Sequence, residues 1–226
     1  MKEVILDTET TGLSPHDGHK IVEVGCIELV NAVPSGNTYH QYLDPKRDIP
    51  VEAFKVHGLS KEFLSAYPAF ADIAEEFLEF VGNSNLIIHN AKFDISFINN
   101  ELDTAKLNPI SFSRVIDTLD IARKKFPGSP ANLDALCKRF NIDNSDRKEH
   151  GALKDAHLLA QVYLELIGGR QANLSFSREK TSQKNPSLVV TQNSDVAPAR
   201  YHAPSKEELE NHEGFIATIK NPLWRR

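Results

Sequence analysis

The chain has 226 residues, 40% of them hydrophobic and 25% charged, with 26 Lys and Arg against 31 Asp and Glu for a net charge of −5. That length allows one well-cored domain and an appendage, and no apolar run approaches the roughly 20 residues needed to cross a membrane. The charge excludes a generally basic nucleic-acid coat and is uneven: residues 1–170 hold 18 basic and 25 acidic side chains, residues 171–226 hold 8 and 6. If the first part handles a polyanion, bound cations must do the balancing. Met1-Lys2-Glu3 runs straight into Val4-Ile5-Leu6 with no charged-then-apolar leader, so a cytoplasmic protein without a membrane partner is expected. Cys26 and Cys137 stand alone, without zinc or disulfide spacing, and read as core thiols.

In chain order, Lys2 to Asp7, Ile21 to Leu29 and Thr38 to Leu43 read as strands separated by Gly, Pro and Asn turn signals, which predicts a three-strand meander. The period then changes. Phe70 to Val81 has helical spacing, Asn85 to His89 reads as a short buried strand, and Ala91 to Leu102 as a helix. A strand around Val115 to Thr118 and helices around Leu119 to Phe126 and Leu133 to Phe140 follow. A last helix begins near Gly151 and stops at Gly168-Gly169. The order β-β-β-α-β-α-β-α-α-α is that of an α/β layer fold with a mixed sheet. Residues 177–200, rich in Ser, Gln, Asn, Lys and Pro, read as a flexible linker. Order returns in the 201–226 tail, where Ser205 and Glu208 fit a capping box and Leu209, Ile216, Ile219 and Leu223 recur near helical spacing.

Asp7 and Glu9, two apart in a strand, project from the same face at its end. Alone, such a pair is usually a solvated strand-to-turn junction. Two further acids raise its standing. Asp94 sits near the start of the helix after Asn85–His89, beside Phe97 and Ile98. It could be only a dipole partner, yet the apolar side is an odd place for a free carboxylate. Asp155 falls on the apolar stripe of the last helix (Ala152, Ala156, Leu159, Ala160, Tyr163, Ile167), where an unpaired charge is costly and no Lys or Arg is conveniently placed. A metal or a distant cation must serve it. His150, five residues earlier, cannot share that helical face and belongs on the loop or first turn. Its proximity to Asp155 makes it a candidate base.

The blocks "DTETTGL", "IIHNAKFD" and "HGALKDAHLLAQVYLELIGG" resemble the signature segments of the DEDDh exonucleases, and the third is similar to that of the proofreading subunits of bacterial replicative DNA polymerases. "KVHGLS", "QANLSF" and the terminal "NPLW" add to the likeness. The resemblance implies a ribonuclease H-like mixed sheet flanked by helices, and removal of mononucleotides from the 3′ end of DNA, single-stranded or frayed. It assigns Asp7, Glu9, Asp94 and Asp155 to two divalent ions and His150 to the proton of the attacking water. The oxygen-rich, Cys-free set suits Mg²⁺ or Mn²⁺, and two such ions relieve the repulsion of four carboxylates. By the same likeness Thr8, Thr10, Leu13, Val56, His57, Asn90 and Phe93, with Asp7, Glu9 and Asp155, contact the terminal nucleotide. A mismatched end is favoured because it frays more easily.

For organisation, the resemblance implies an exonuclease domain over residues 1–170 and a sliding-clamp peptide at 171–176 in which Gln171, Leu174 and Phe176 dock. Beyond the linker, it implies a tail in which Phe215 and Trp224 bind the polymerase's catalytic (alpha) subunit. Other readings remain open at this point. They are an RNA exonuclease of the same superfamily, a non-catalytic bridge between polymerase and clamp, and, less well supported for want of a Gly-rich phosphate loop, a nucleotide-binding module.

Overall fold

The computed structural model describes residues 2–145, 150–168 and 203–218. Five strands form one sheet in the order β3-β2-β1-β4-β5. The first three are β1 (Lys2–Thr10), β2 (Ile21–Val30) and β3 (Val33–Tyr42), and the last two are β4 (Asn85–Ile88) and β5 (Val115–Asp117). The β1, β2 and β3 strands make the expected antiparallel meander, while β4 pairs parallel to β1 and β5 parallel to β4. The sheet is mixed, as the sequence predicts.

β1 is central, so both its faces are covered and its residues alternate between two cores. Val4 and Leu6 pack on one side with Phe77, Leu86 and Ile98, from α3 (Phe70–Val81), β4 and α4 (Ala91–Thr104). Ile5 packs on the other with residues of α5 (Thr118–Lys125), α6 (Leu133–Phe140) and α7 (Ala152–Ile167), among them Leu136, Leu159 and Tyr163. Cys26 lies in the first core and Cys137 in the second, both buried and neither in a disulfide.

Three features depart from the sequence expectation. β1 runs three residues past Asp7, because Thr8, Glu9 and Thr10 continue the ladder with β2. The register slips between Glu9 and Thr10, which face Glu23 and Ile21 and leave Val22 extra, a bulge that bends the strand end. β3 starts at Val33, five residues early. Pro34 and Gly36 are tolerated there because β3 is an edge strand. Finally, α1 (Val51–His57) and α2 (Lys61–Leu64) fill a stretch with no anticipated element.

The chain divides into two compact units, Met1–Ser175 and Phe176–Arg226. In the second, α8 (Lys206–Thr218) carries the predicted capping box. The Ser205 N–H donates to Glu208 Oε2 at 2.8 Å, and the Glu208 N–H to Ser205 Oγ at 3.2 Å. Phe215 is 64% exposed and Ile216 is buried. Gln171, Leu174, Phe176, the 177–200 linker and Trp224 lie outside the described residues.

Candidate active site

Helix α7 brings Asp155 to the end of β1. Gly25 of β2 makes this approach possible: a Cβ there would stand 2.2 Å from the Leu153 nitrogen and 2.4 Å from the Ala152 carbonyl carbon. Backbone therefore lies on backbone at the start of α7, and Asp155, in its first turn, is 3% exposed. His150 precedes the N-cap Gly151. Its N–H donates to the Val56 carbonyl of α1 at 3.0 Å, and its Nδ1 lies 3.3 Å from Asp155 Oδ2. His150 thus sits just before the helix, as expected, close enough to Asp155 to pair with it.

Glu9, buried at the end of β1, completes a cluster: one ligand atom each of Glu9, His150 and Asp155 lie within 4.8 Å of one another. Asp7 shares Glu9's face of β1 and is half-buried. Asp94 arrives from the other side of the sheet. It is 3% exposed, and its Oδ1 accepts from the Thr8 N–H at 3.1 Å and the Thr8 hydroxyl at 2.7 Å. Burial pushes its carboxyl up to about 7, with Asp117 contributing, while the two Thr8 hydrogen bonds pull the other way. Asp94 is thus joined to the strand between Asp7 and Glu9 through Thr8, and is not itself in the three-residue cluster.

A cavity of about 520 Å³ opens beside this cluster. Thr8, Glu9, Thr10, Leu13, Val56, His57 and Phe93 line it; Asn90, exposed at the start of α4, does not. Asn90 adopts φ 66°, and its N–H and that of Ala91 donate to the Asp117 carboxylate at 3.1 and 3.0 Å. Asp117 also accepts from the Leu119 N–H at 2.8 Å, so one carboxylate anchors the starts of α4 and α5. Sequence reasoning did not single out Asp117, nor Asp17, His19 and Glu52, which also line the cavity. The Leu59 N–H donates to His57 Nδ1 at 3.0 Å, which leaves the proton of the neutral ring on Nε2. Among the described residues that buried nitrogen has no hydrogen-bond partner. Burial also lowers the His57 pKa.

The exonuclease family profile matches residues 4–163, which spans β1 through most of α7. The chain belongs to the exonuclease family. It is 50% identical over 222 residues to the DNA polymerase III subunit epsilon of Rickettsia felis, covering 97% of both chains. It is 41% identical over 239 residues to that of Escherichia coli K12, covering 99% of this chain and 97% of the other. In fold it is similar to the nuclease domain of 3′hExo, a DEDDh family member solved bound to rAMP, with TM-score 0.62 and 17% identity, covering 74% of this chain and 91% of the other. The exonuclease sheet and flanking helices are those of the ribonuclease H-like class, and the chain is a DEDDh-type 3′–5′ exonuclease of the polymerase III epsilon kind.

The residues fit the divalent metal that this family implies. Two buried carboxylates and an imidazole converge within one coordination sphere's reach, and a third carboxylate lies on the same strand face. Burial disfavours the charge on Asp94, and a cation beside it would favour the ionised, ligating form. Among the described residues no Cys is near enough to favour zinc over a hard, oxygen-seeking ion.

Proposed function

We propose that this exonuclease removes nucleoside monophosphates from the 3′ end of a DNA primer, proofreading for a replicative polymerase III in the cytoplasm. The observation that supports it most directly is the convergence of Glu9, His150 and Asp155 beside a cavity of nucleotide size. Asp7, Glu9 and Asp155 would hold one Mg²⁺ or Mn²⁺, and Asp7 with Asp94 a second. Bound there, the ions would supply charge neutralisation at the scissile phosphate.

The chain's own residues do the rest. His150 takes the proton of the attacking water, and Asp155, 3.3 Å away, orients the imidazole and stabilises it once charged. Thr8 fixes Asp94 through two hydrogen bonds. Phe93, Val56 and Leu13 offer apolar surface to the terminal base and His57 Nε2–H an unused donor, so an unstacked end enters more readily than a paired one. Residues 171–176 are proposed to dock on the sliding clamp. The tail, with Phe215 exposed on α8, is proposed to dock on the polymerase catalytic subunit.

A time course on 5′-labelled single-stranded DNA, matched and mismatched duplex DNA, and RNA tests the reading. Stepwise 3′ shortening of DNA, faster on the mismatch and abolished by chelator and by Asp155→Ala, is the expected result. Shortening of RNA alone would transfer the protein to RNA processing, and no shortening would leave only a bridging role.

A further inference from the structure

A second cavity, about 540 Å³, lies beside His150; the reaction described above uses His57 and His150 of its lining and gives no role to Glu23, His40, Lys154 or His157. Its titratable lining is His40, Tyr42, His57, His150, His157, Lys154 and Glu23. Four of the chain's nine histidines therefore meet at one place in a protein of net charge −5. Glu23 is the one acid among the described lining residues, and it is taken up by His40 Nε2 at 2.8 Å. The first cavity has the opposite character, with Glu9, Asp17 and Glu52 in its wall.

The two cavities share His57, whose Nε2–H has no partner among the described residues, and the second begins at His150, which belongs to the Glu9–His150–Asp155 cluster. We propose that the second cavity binds the phosphodiester one linkage 5′ of the bond being cut, with Lys154 and His157 as its principal contacts. This rests on the exonuclease reading above. A strand whose last nucleotide fills the first cavity, and whose scissile phosphate lies at the cluster, continues past His150. The next phosphodiester then meets the Lys154 ammonium and the N–H donor of the His157 imidazole. Lys154 and His157 stand three apart on α7 and share an exposed face, so both can reach one phosphate. The need is electrostatic. Carboxylates crowd the catalytic end of β1, and an anionic strand must be drawn across them by cations placed just outside.

The test is binding, measured by fluorescence anisotropy of a 5′-labelled single-stranded oligonucleotide in chelator, so that no hydrolysis intervenes. Lys154→Gln with His157→Gln should weaken binding by roughly tenfold at low salt and reduce the slope of log K against log salt by about 0.7 for the lost phosphate contact. An uncharged methylphosphonate at the second linkage from the 3′ end should weaken wild-type binding by a similar factor and the double variant no further. The same replacement at the fifth linkage should weaken both proteins equally. Both substituted residues are exposed, and an unchanged melting temperature confirms that the variant folds. Additive losses from the variant and the second-linkage methylphosphonate would overturn the proposal, as would variant binding within about twofold of wild type. If the wild type cuts no DNA, the functional reading fails while this binding cycle still decides what the cavity holds.

Discussion

Replacing Asp94 by Asn should stabilise the metal-free protein above pH 7 while weakening its hold on divalent ions. The carboxyl is 3% exposed, and burial lifts it from an ordinary 3.8 to about 7. That gap of roughly 3 pH units corresponds to about 4 kcal/mol against the ionised form. Below pH 4 the group is protonated in folded and unfolded chains alike, so its full contribution to stability is present. Between pH 4 and 7 the unfolded chain ionises first, and that contribution is lost progressively. Above 7 the loss is complete. Asn does not titrate, and its Oδ1 can still accept from the Thr8 N–H and hydroxyl. The variant's advantage should therefore open between pH 4 and 7 and then hold. After the cost of burying an amide, it should raise the melting temperature at pH 8 by about 5–10 °C in a chain of this size. The assay is thermal denaturation in chelator at pH 5, 7 and 8, repeated with Mn²⁺, which should raise the wild type's melting temperature more than the variant's. A variant that melts at or below the wild type at pH 8, or a gap that does not change with pH, would refute the reasoning.

His150→Gln should lower kcat by about 10²–10⁴-fold with KM little changed, because only proton transfer is removed; single-turnover kinetics check it. Glu9→Gln, in a buried carboxylate of the cluster, should lower divalent-ion affinity by at least about tenfold, read by isothermal titration with Mn²⁺. Gly25→Ala should destabilise the protein by about 3 kcal/mol or more, seen as a lower denaturation midpoint, because its Cβ would lie 2.2 Å from the Leu153 nitrogen in rigid backbone. Ser205→Ala should cost α8 about 1 kcal/mol by removing the bond to the Glu208 N–H, detected as faster amide exchange over Lys206–Thr218.

The sequence was most legible where periodicity is long. Phe70–Val81 and Leu133–Phe140 begin and end where their apolar spacing predicts, because one face of each meets a core. It was least legible at short elements. The seven residues of α1 and four of α2 span too few turns to show a period, and the N-cap of α1 is Pro50, whose side chain offers no capping bond. The tightness of the β2–β3 turn was also concealed. Its turn, Asn31-Ala32, takes φ 53° and 63°, the left-handed pair usually marked by Asn-Gly, and Ala in that place gives no signal. For the site, spacing and the family likeness named the acids and His150, and the structure brings Glu9, His150 and Asp155 together. What spacing could not reveal was contact across 86 residues, by which Thr8 holds Asp94, or the double anchoring by Asp117. Asn90, read as a pocket residue from its motif, has a left-handed backbone and is not among the residues lining the cavity.

β1 belongs to both cores, and its end receives Asp94 from one layer and Asp155 from the other. The active site is therefore a seam between two independently packed halves, and damage in either half reaches it. A cavity made by Phe77→Ala in one layer or Leu159→Ala in the other would let a different carboxylate drift, although neither side chain lines the active-site cavity. Mutations scattered through the domain should consequently weaken proofreading before they unfold the protein, so a replicating cell could carry a mutator phenotype with normal amounts of enzyme.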